Sequence, residues 1–269
     1  MRSILLLFLS ILFLVSCTSE RNKLAIVGTV HFPTRNINED SIYKVLEQLK
    51  PDFILMESDH SNFNSDYSFK RTYDENEWNA VVAYIKENPL TQVRPIGFEN
   101  RKGYRDSLGL FAEASAVFQV LNRLNNQQLF KNNESKLWKQ FETLWVQCDS
   151  LSNATLNNLN SSTSDEIVET MLEYQYEKLN QIVNLRNEFT DLELIDAKND
   201  TISLKDYFKK WTQFEYYNRN KQIAENILNY IKSHKGKTFV ILIGYKHKVI
   251  VSRLLNDKLE NLKIHKIEL

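Results

Sequence analysis

Only two of the 269 residues are cysteine, Cys17 and Cys148. At most one bridge could form between them, so a disulfide framework is excluded and the fold has to rest on its core, which a chain of this length can build. Charge of one sign is missing too. Lys+Arg and Asp+Glu balance at 34 each, so nothing in the overall charge recruits nucleic acid or an acidic membrane surface. After the first 17 residues no apolar run reaches bilayer-spanning length. Also absent are a P-loop, a Gly-x-Gly-x-x-Gly, a His-Glu-x-x-His and a Gly-x-Ser-x-Gly. With them go the phosphate-cradling, dinucleotide-binding, helical zinc-protease and nucleophile-elbow classes in their usual forms.

The N-terminus, "MRSILLLFLSILFLVSC", has a basic residue, Arg2, and an apolar run too short to span a bilayer comfortably. It reads as a signal peptide. Leu14-Val15-Ser16-Cys17 resembles the lipobox of bacterial lipoproteins. That resemblance implies cleavage before Cys17 and a lipid on it, which leaves Cys148 as the sole thiol. An ordinary signal peptide with an incidental cysteine is the alternative. The expected organisation is a signal peptide over 1–16, a polar lipidated tether over 17–22, and a single α/β domain over 23–269. The protein would then be lipid-anchored in the bacterial cell envelope, on a periplasmic or surface face.

Buried-strand patterns occur at "LAIVGTV" and "DFILMES", with a third strand or extended segment at "TQVRPIGFE" whose Pro95 points to a sheet edge or strand end. Between them lie helical patterns, "NEDSIYKVLEQLK" and "ENEWNAVVAYIKEN". This alternation predicts right-handed βαβ crossovers and a mainly parallel sheet flanked by helices. From about 104 to 210 the chain reads as a helical insertion, with helices over 108–124 and 164–189, the second starting near Ser164 after an Asn/Ser-rich loop. We expect this insertion to form a wall or lid over the functional edge of the sheet. A long helix over 214–236, the strand "TFVILI", a helix over 246–260 and a last strand "LKIHKIEL" complete the pattern.

Twice a Gly-x-x-His follows a strand: "GTVH" (Gly28, His31) and "GYKH" (Gly244, His247). Glu57 ends the second strand, so three ionisable groups should reach the carboxyl edge of one sheet, where ligands of open parallel sheets bind. Histidine with carboxylate supplies either metal ligands or an acid–base pair. Arg219 heads a stripe with Ile223, Ile227 and Ile231 that should face the sheet, where it could pair with Glu57 or grip an anionic group.

These residues resemble the TraB/PrgY/GumN superfamily, which includes the Tiki metalloproteases and is similar in fold to ChaN-like haem-binding lipoproteins and erythromycin-esterase-like enzymes. The matching positions are Gly28 and His31, Glu57 in "ILMES", Arg219 in "NRNKQIAENI", and Gly244 and His247. Glu99, at the end of "RPIGFE", falls where relatives often have an acidic residue. The chain departs from the pattern in having Asn220 after Arg219 and no glycine soon after His247. The resemblance implies a divalent-metal-dependent hydrolase acting on a peptide or an ester. His31, His247, Glu57 and Glu99 would hold Mn²⁺, Co²⁺ or Zn²⁺, and Glu57 and Arg219 would take part in catalysis. The alternative it implies is a non-catalytic lipoprotein that captures haem, a metal or a peptide in the same cleft. The expected partners are thus a membrane, through the lipid on Cys17, and a peptide or small-molecule ligand, with no nucleic acid.

Overall fold

The computed structural model describes residues 21–268. The expected signal peptide and Cys17 lie outside the described residues. Strands β1 (Lys23–Thr29), β2 (Phe53–Met56) and β3 (Gln92–Pro95) alternate with helices α1 (Glu39–Leu49) and α2 (Asn76–Glu87), as the apolar spacing predicts. A helical segment follows: α3 (Arg101–Ser107), α4 (Ser115–Asn126), α5 (Asn132–Ser150), α6 (Leu156–Leu159), α7 (Ser162–Glu173), α8 (Leu179–Leu185) and α9 (Glu188–Asp191). A hairpin of β4 (Glu193–Ile195) and β5 (Thr201–Ser203) leads to α10 (Leu204–Thr212) and α11 (Arg219–Ser233). Then come β6 (Thr238–Gly244), α12 (Tyr245–Asn261) and β7 (His265–Lys266).

Five strands form one parallel sheet in the order β3-β2-β6-β1-β7. The α/β class and the mainly parallel sheet expected from the sequence are what the protein has. β3 is one of the two edge strands, and Pro95, which cannot donate to a ladder, ends it. β1 crosses through α1 to β2, whereas β6 crosses through α12 to β7 in the opposite direction. Right-handed crossovers in opposite directions put their helices on opposite faces. Accordingly Ile42, Leu46, Trp78 and Val81 pack on one face, and Ile223, Ile227, Val251 and Leu255 on the other. The chains leaving β1 and β6 part there, which opens a crevice at the carboxyl ends of the central strands.

The segment from α3 through the π turn after α10 builds a third core around Leu121, Phe141, Met171, Phe208 and Phe214, which Val249 and Ile250 of α12 join. It departs from the expected pattern in three ways. It is not purely helical, because β4 and β5 pair antiparallel around a turn in which Asp196 Oδ1 accepts from the N–H of Lys198 and Asp200. Three-residue strands are too short to print an alternation in the sequence. The start expected at Ser164 lies earlier: Ser161 is the cap, accepting from Ser164 N at 3.3 Å. Finally, π turns at Tyr174–Lys178 and Gln213–Asn218 interrupt what reads as two continuous helices.

This segment docks at the carboxyl end of β1. β7 pairs only with Lys23 and Leu24, so by Gly28 the strand has no neighbour on that side. The Asn160 amide takes that place: its Oδ1 accepts from Gly28 N at 2.6 Å and its Nδ2 donates to Gly28 O at 2.9 Å. Buried Lys248, on α12, donates to both oxygens of Asp165 on α7 and to Asn160 O.

Candidate functional site

Glu57 is the first residue past β2 and donates its N–H to Leu242 O, so its side chain emerges beside the end of β6. Its Oε1 accepts from Arg219 Nη2 at 2.7 Å, and its Oε2 accepts from Gly244 N–H at 2.9 Å. Arg219 is placed by the stripe read from the sequence: Ile223, Ile227 and Ile231 are buried against the sheet. Its Nη1 donates to Glu215 Oε2 at 3.0 Å, so the guanidinium lies between two carboxylates.

His247 sits in the first turn of α12, with Nε2 3.8 Å from Glu57 Oε1. Its Nδ1 lies 2.8 Å from Oδ1 of fully buried Asn220. Asn220 donates its Nδ2 to Tyr216 O at 2.7 Å and Glu215 O at 3.3 Å, which leaves its oxygen as the acceptor. The network therefore assigns the His247 proton to Nδ1 and turns the Nε2 lone pair toward Glu57.

His31 follows β1 by two residues and is exposed, with 49 % of its side-chain surface open to solvent. Its Nδ1 lies 3.1 Å from Oε1 of Glu77, a buried carboxylate that Thr29 Oγ1 also bonds. Both imidazoles are thus oriented through Nδ1 by an acceptor behind them. Their other edges meet at Gly244. A Cβ placed there would stand 3.5 Å from Glu57 Oε2, 3.6 Å from His31 Nε2 and 3.8 Å from His247 Cδ2. Glycine leaves that point open. Gly28 has a different reason to be glycine, because a Cβ there would stand 3.1 Å from Tyr245 Cα, and so it serves strand–helix packing and not a turn toward a ligand.

The site's charges are set by these partners. Burial alone would push the Glu57 carboxyl up. The charge that His247 carries when it is itself protonated, at acid pH, lowers it instead to about 2, together with the Arg219 charge and the Gly244 N–H. Burial and the Arg219 charge lower His247 to about 3, despite Glu57. Its imidazole is neutral at pH 7. The hydrogen bond to Glu77 outweighs partial burial at His31 and raises it to about 9. Glu77 is lowered: burial opposes the charged form, but the bond from His31 wins.

A cleft of about 840 Å³ opens in front of this site, lined by His31, Glu57 and Arg219 and by residues from the 58–78 and 97–102 segments. Between Lys102 and Arg219 no described residue lines it, so the expected wall or lid from 104–210 is not what lines it. The insertion lies behind the site, on Gly28 and α12. Glu99 is exposed on the cleft lining.

Ligand atoms of His31, Glu75 and Glu77 all lie within 4.8 Å of one another, a group that could hold a divalent cation. Glu77 Oε2 is buried with no hydrogen-bond partner, so the donor set has an acceptor to offer. This trio differs from the expected set of His31, His247, Glu57 and Glu99. His31 belongs to both. Glu57 is instead held by Arg219 and Gly244. The sequence reading missed Glu75 and Glu77, and named Asn220 only as a departure from the family pattern, not as the partner of His247. Glu77 shares the buried stripe of α2 with Val81 and Tyr84, and Asn220 shares that of α11 with Ile223 and Ile227. A polar residue on an apolar stripe was the available signal.

No protein-family model matches the chain, and neither does any curated protein or solved structure.

Proposed function

We propose that the protein is a divalent-cation-dependent hydrolase of the bacterial cell envelope, acting on a peptide bond or an ester, as the resemblance to the Tiki-like group implies. The observation that carries this reading is the convergence of His31 Nε2, Glu57 Oε2 and His247 on one open point at Gly244. The cation's place would be at His31 with Glu75 and Glu77. When bound, it would polarise the scissile carbonyl and lower the pKa of a water. His247, neutral and presenting Nε2, accepts a hydrogen bond from the attacking water and orients it. Glu57 stays anionic, and the rigid Arg219–Glu57 pair fixes its orientation. Arg219 also supplies positive charge near the oxygen on which negative charge develops.

The test is calorimetric titration with Mn²⁺, Co²⁺ and Zn²⁺, alongside peptide and ester hydrolysis with and without a chelator. Cation-dependent turnover is expected. His31→Ala and His247→Ala should each remove it almost as completely as the double substitution, as for residues acting as a unit. Wild-type turnover in the double variant would overturn the reading.

One observation favours a second reading, capture without catalysis. Both Glu57 oxygens already have donors, from Arg219 and Gly244, which suits a carboxylate that holds a site together. Haem, a metal or a peptide would then bind at half-open His31. A Soret band on haem addition, or cation binding without turnover, marks that outcome.

A further inference from the structure

Lys+Arg and Asp+Glu balance over the whole chain, but they do not balance locally. A second cleft, of about 990 Å³, is lined by Arg21, Lys23, Lys235, Lys237, Lys263 and His265 and by no carboxylate. Among the described residues only Lys237 of this group is paired, with its Nζ 3.0 Å from Asp52 Oδ1. Arg21, Lys23, Lys235 and Lys263 are all exposed.

The cleft lies at one end of the sheet. Lys23 and Thr238 open β1 and β6, and Lys263 with Ile264 leads into β7. These three strands run parallel, so this is their amino edge, opposite the carboxyl edge that carries His31 and Glu57. The length of β1 separates the two edges by about 20 Å. Its cations stand on a tied platform. Buried Asn22 donates its Nδ2 to Ile231 O at 2.9 Å and to His234 O at 2.7 Å. Its Oδ1 accepts from Lys237 N–H at 2.9 Å, and its backbone O accepts from His265 N–H. Asn22 thus joins the chains that enter β1, β6 and β7.

What this surface lacks narrows its partner. Four lysines and an arginine without one Phe, Tyr or Trp are unlike a protein-docking surface, where aromatic anchors dominate and lysine is depleted. Single-stranded nucleic acid also calls for rings on which bases stack. A bilayer with anionic headgroups needs only clustered cations held near its surface. Leu262, 37 % exposed in the same lining, adds an apolar side chain for the headgroup boundary. The chain also arrives here from its expected anchor. Only Thr18, Ser19 and Glu20 separate Cys17 from Arg21, a reach of at most about 14 Å.

We infer that the amino edge of the sheet docks on an anionic phospholipid bilayer, with the His31–Glu57–His247 site facing away from it. Docking of this kind is independent of hydrolysis, and it needs a tether at the N-terminus but no lipid there. The test uses the full chain carrying Cys17→Ser, whose N-terminal apolar run is then the tether, reconstituted into vesicles. A nitrobenzoxadiazole label is placed on Leu262→Cys, since Cys148 is buried. A control carries it on Phe32→Cys, 70 % exposed and next to His31. In phosphatidylglycerol–phosphatidylcholine vesicles the emission of the Leu262 label should shift to the blue, and that of the Phe32 label should not. The shift should be absent in phosphatidylcholine alone and lost at about 1 M NaCl, where the Debye length is about 3 Å. Lys23→Gln, Lys235→Gln and Lys263→Gln together should abolish it, and an unchanged melting temperature separates lost docking from lost folding. Four results would each overturn the inference: no shift on anionic vesicles, an equal shift on phosphatidylcholine, a shift that survives high salt or the triple substitution, or a shift of the Phe32 label instead. So would reversal by millimolar inorganic phosphate, which marks a site for free phosphate and not a membrane face.

Discussion

At the scale of single residues, the site turns on what stands behind each imidazole. Glu77 raises His31 to about 9, above its ordinary 6.5. Protonated His31 therefore contributes stability that is fully present below about 6.5 and is lost as the pH rises through about 9. Glu77, lowered, contributes in the opposite sense, and its share is lost as the pH falls through the carboxylate range. Half the His31 side chain faces water, so screening keeps the effect small. Melting temperatures of Glu77→Gln should lack the wild-type decline between about pH 6.5 and 9, and the NMR titration midpoint of His31 should move down. A midpoint unmoved by Glu77→Gln would show that the pair does not set it. Cations compete with that proton, so their affinity should rise across the same interval. Gly244 has φ −52° and ψ 132°, a conformation alanine adopts, and its Cβ would make only ordinary contacts. Gly244→Ala should thus keep or raise stability, by at most about 1 kcal/mol, while its methyl occupies the convergence point and suppresses turnover. Denaturant unfolding and a hydrolysis assay on one sample check both halves.

At the scale of elements, the helical segment is joined to the sheet at a strand end that lacks a neighbour. Asn160 completes the backbone of Gly28, and Lys248 ties Asp165 and Asn160 to α12. Asn160→Ala leaves Gly28 N–H and C=O without these partners and should cost about 1–3 kcal/mol in urea unfolding. Because Gly28 lies three residues before His31, the same variant should also weaken cation binding. An unchanged unfolding midpoint would show that water replaces the amide. The elements themselves were largely legible: α1 through Ile42, Val45 and Leu46, α11 through its isoleucines, and β1 and β6 as unbroken apolar runs. The β4–β5 hairpin and the π turns were not, since three-residue strands and one-residue changes of helical period leave no repeat in the sequence.

At the scale of the whole molecule, the lipid anchor expected from the sequence would depend on Cys17, which lies outside the described residues. Cys17→Ser should abolish labelling by a palmitate analogue and leave an unprocessed precursor. Labelling that persists would remove the lipoprotein reading. Local chemistry in the chain itself determined the parallel sheet, because buried strands alternate with one-sided helices. It also determined that His31, Glu57 and His247 reach one sheet edge, because each follows a strand end by one to three residues. Only the tertiary structure decided what each of them faces. Whether Glu57 meets Arg219 162 residues away, whether His247 meets Asn220, and whether His31 meets Glu77 depends on strand order and helix docking. No spacing along the chain encodes that.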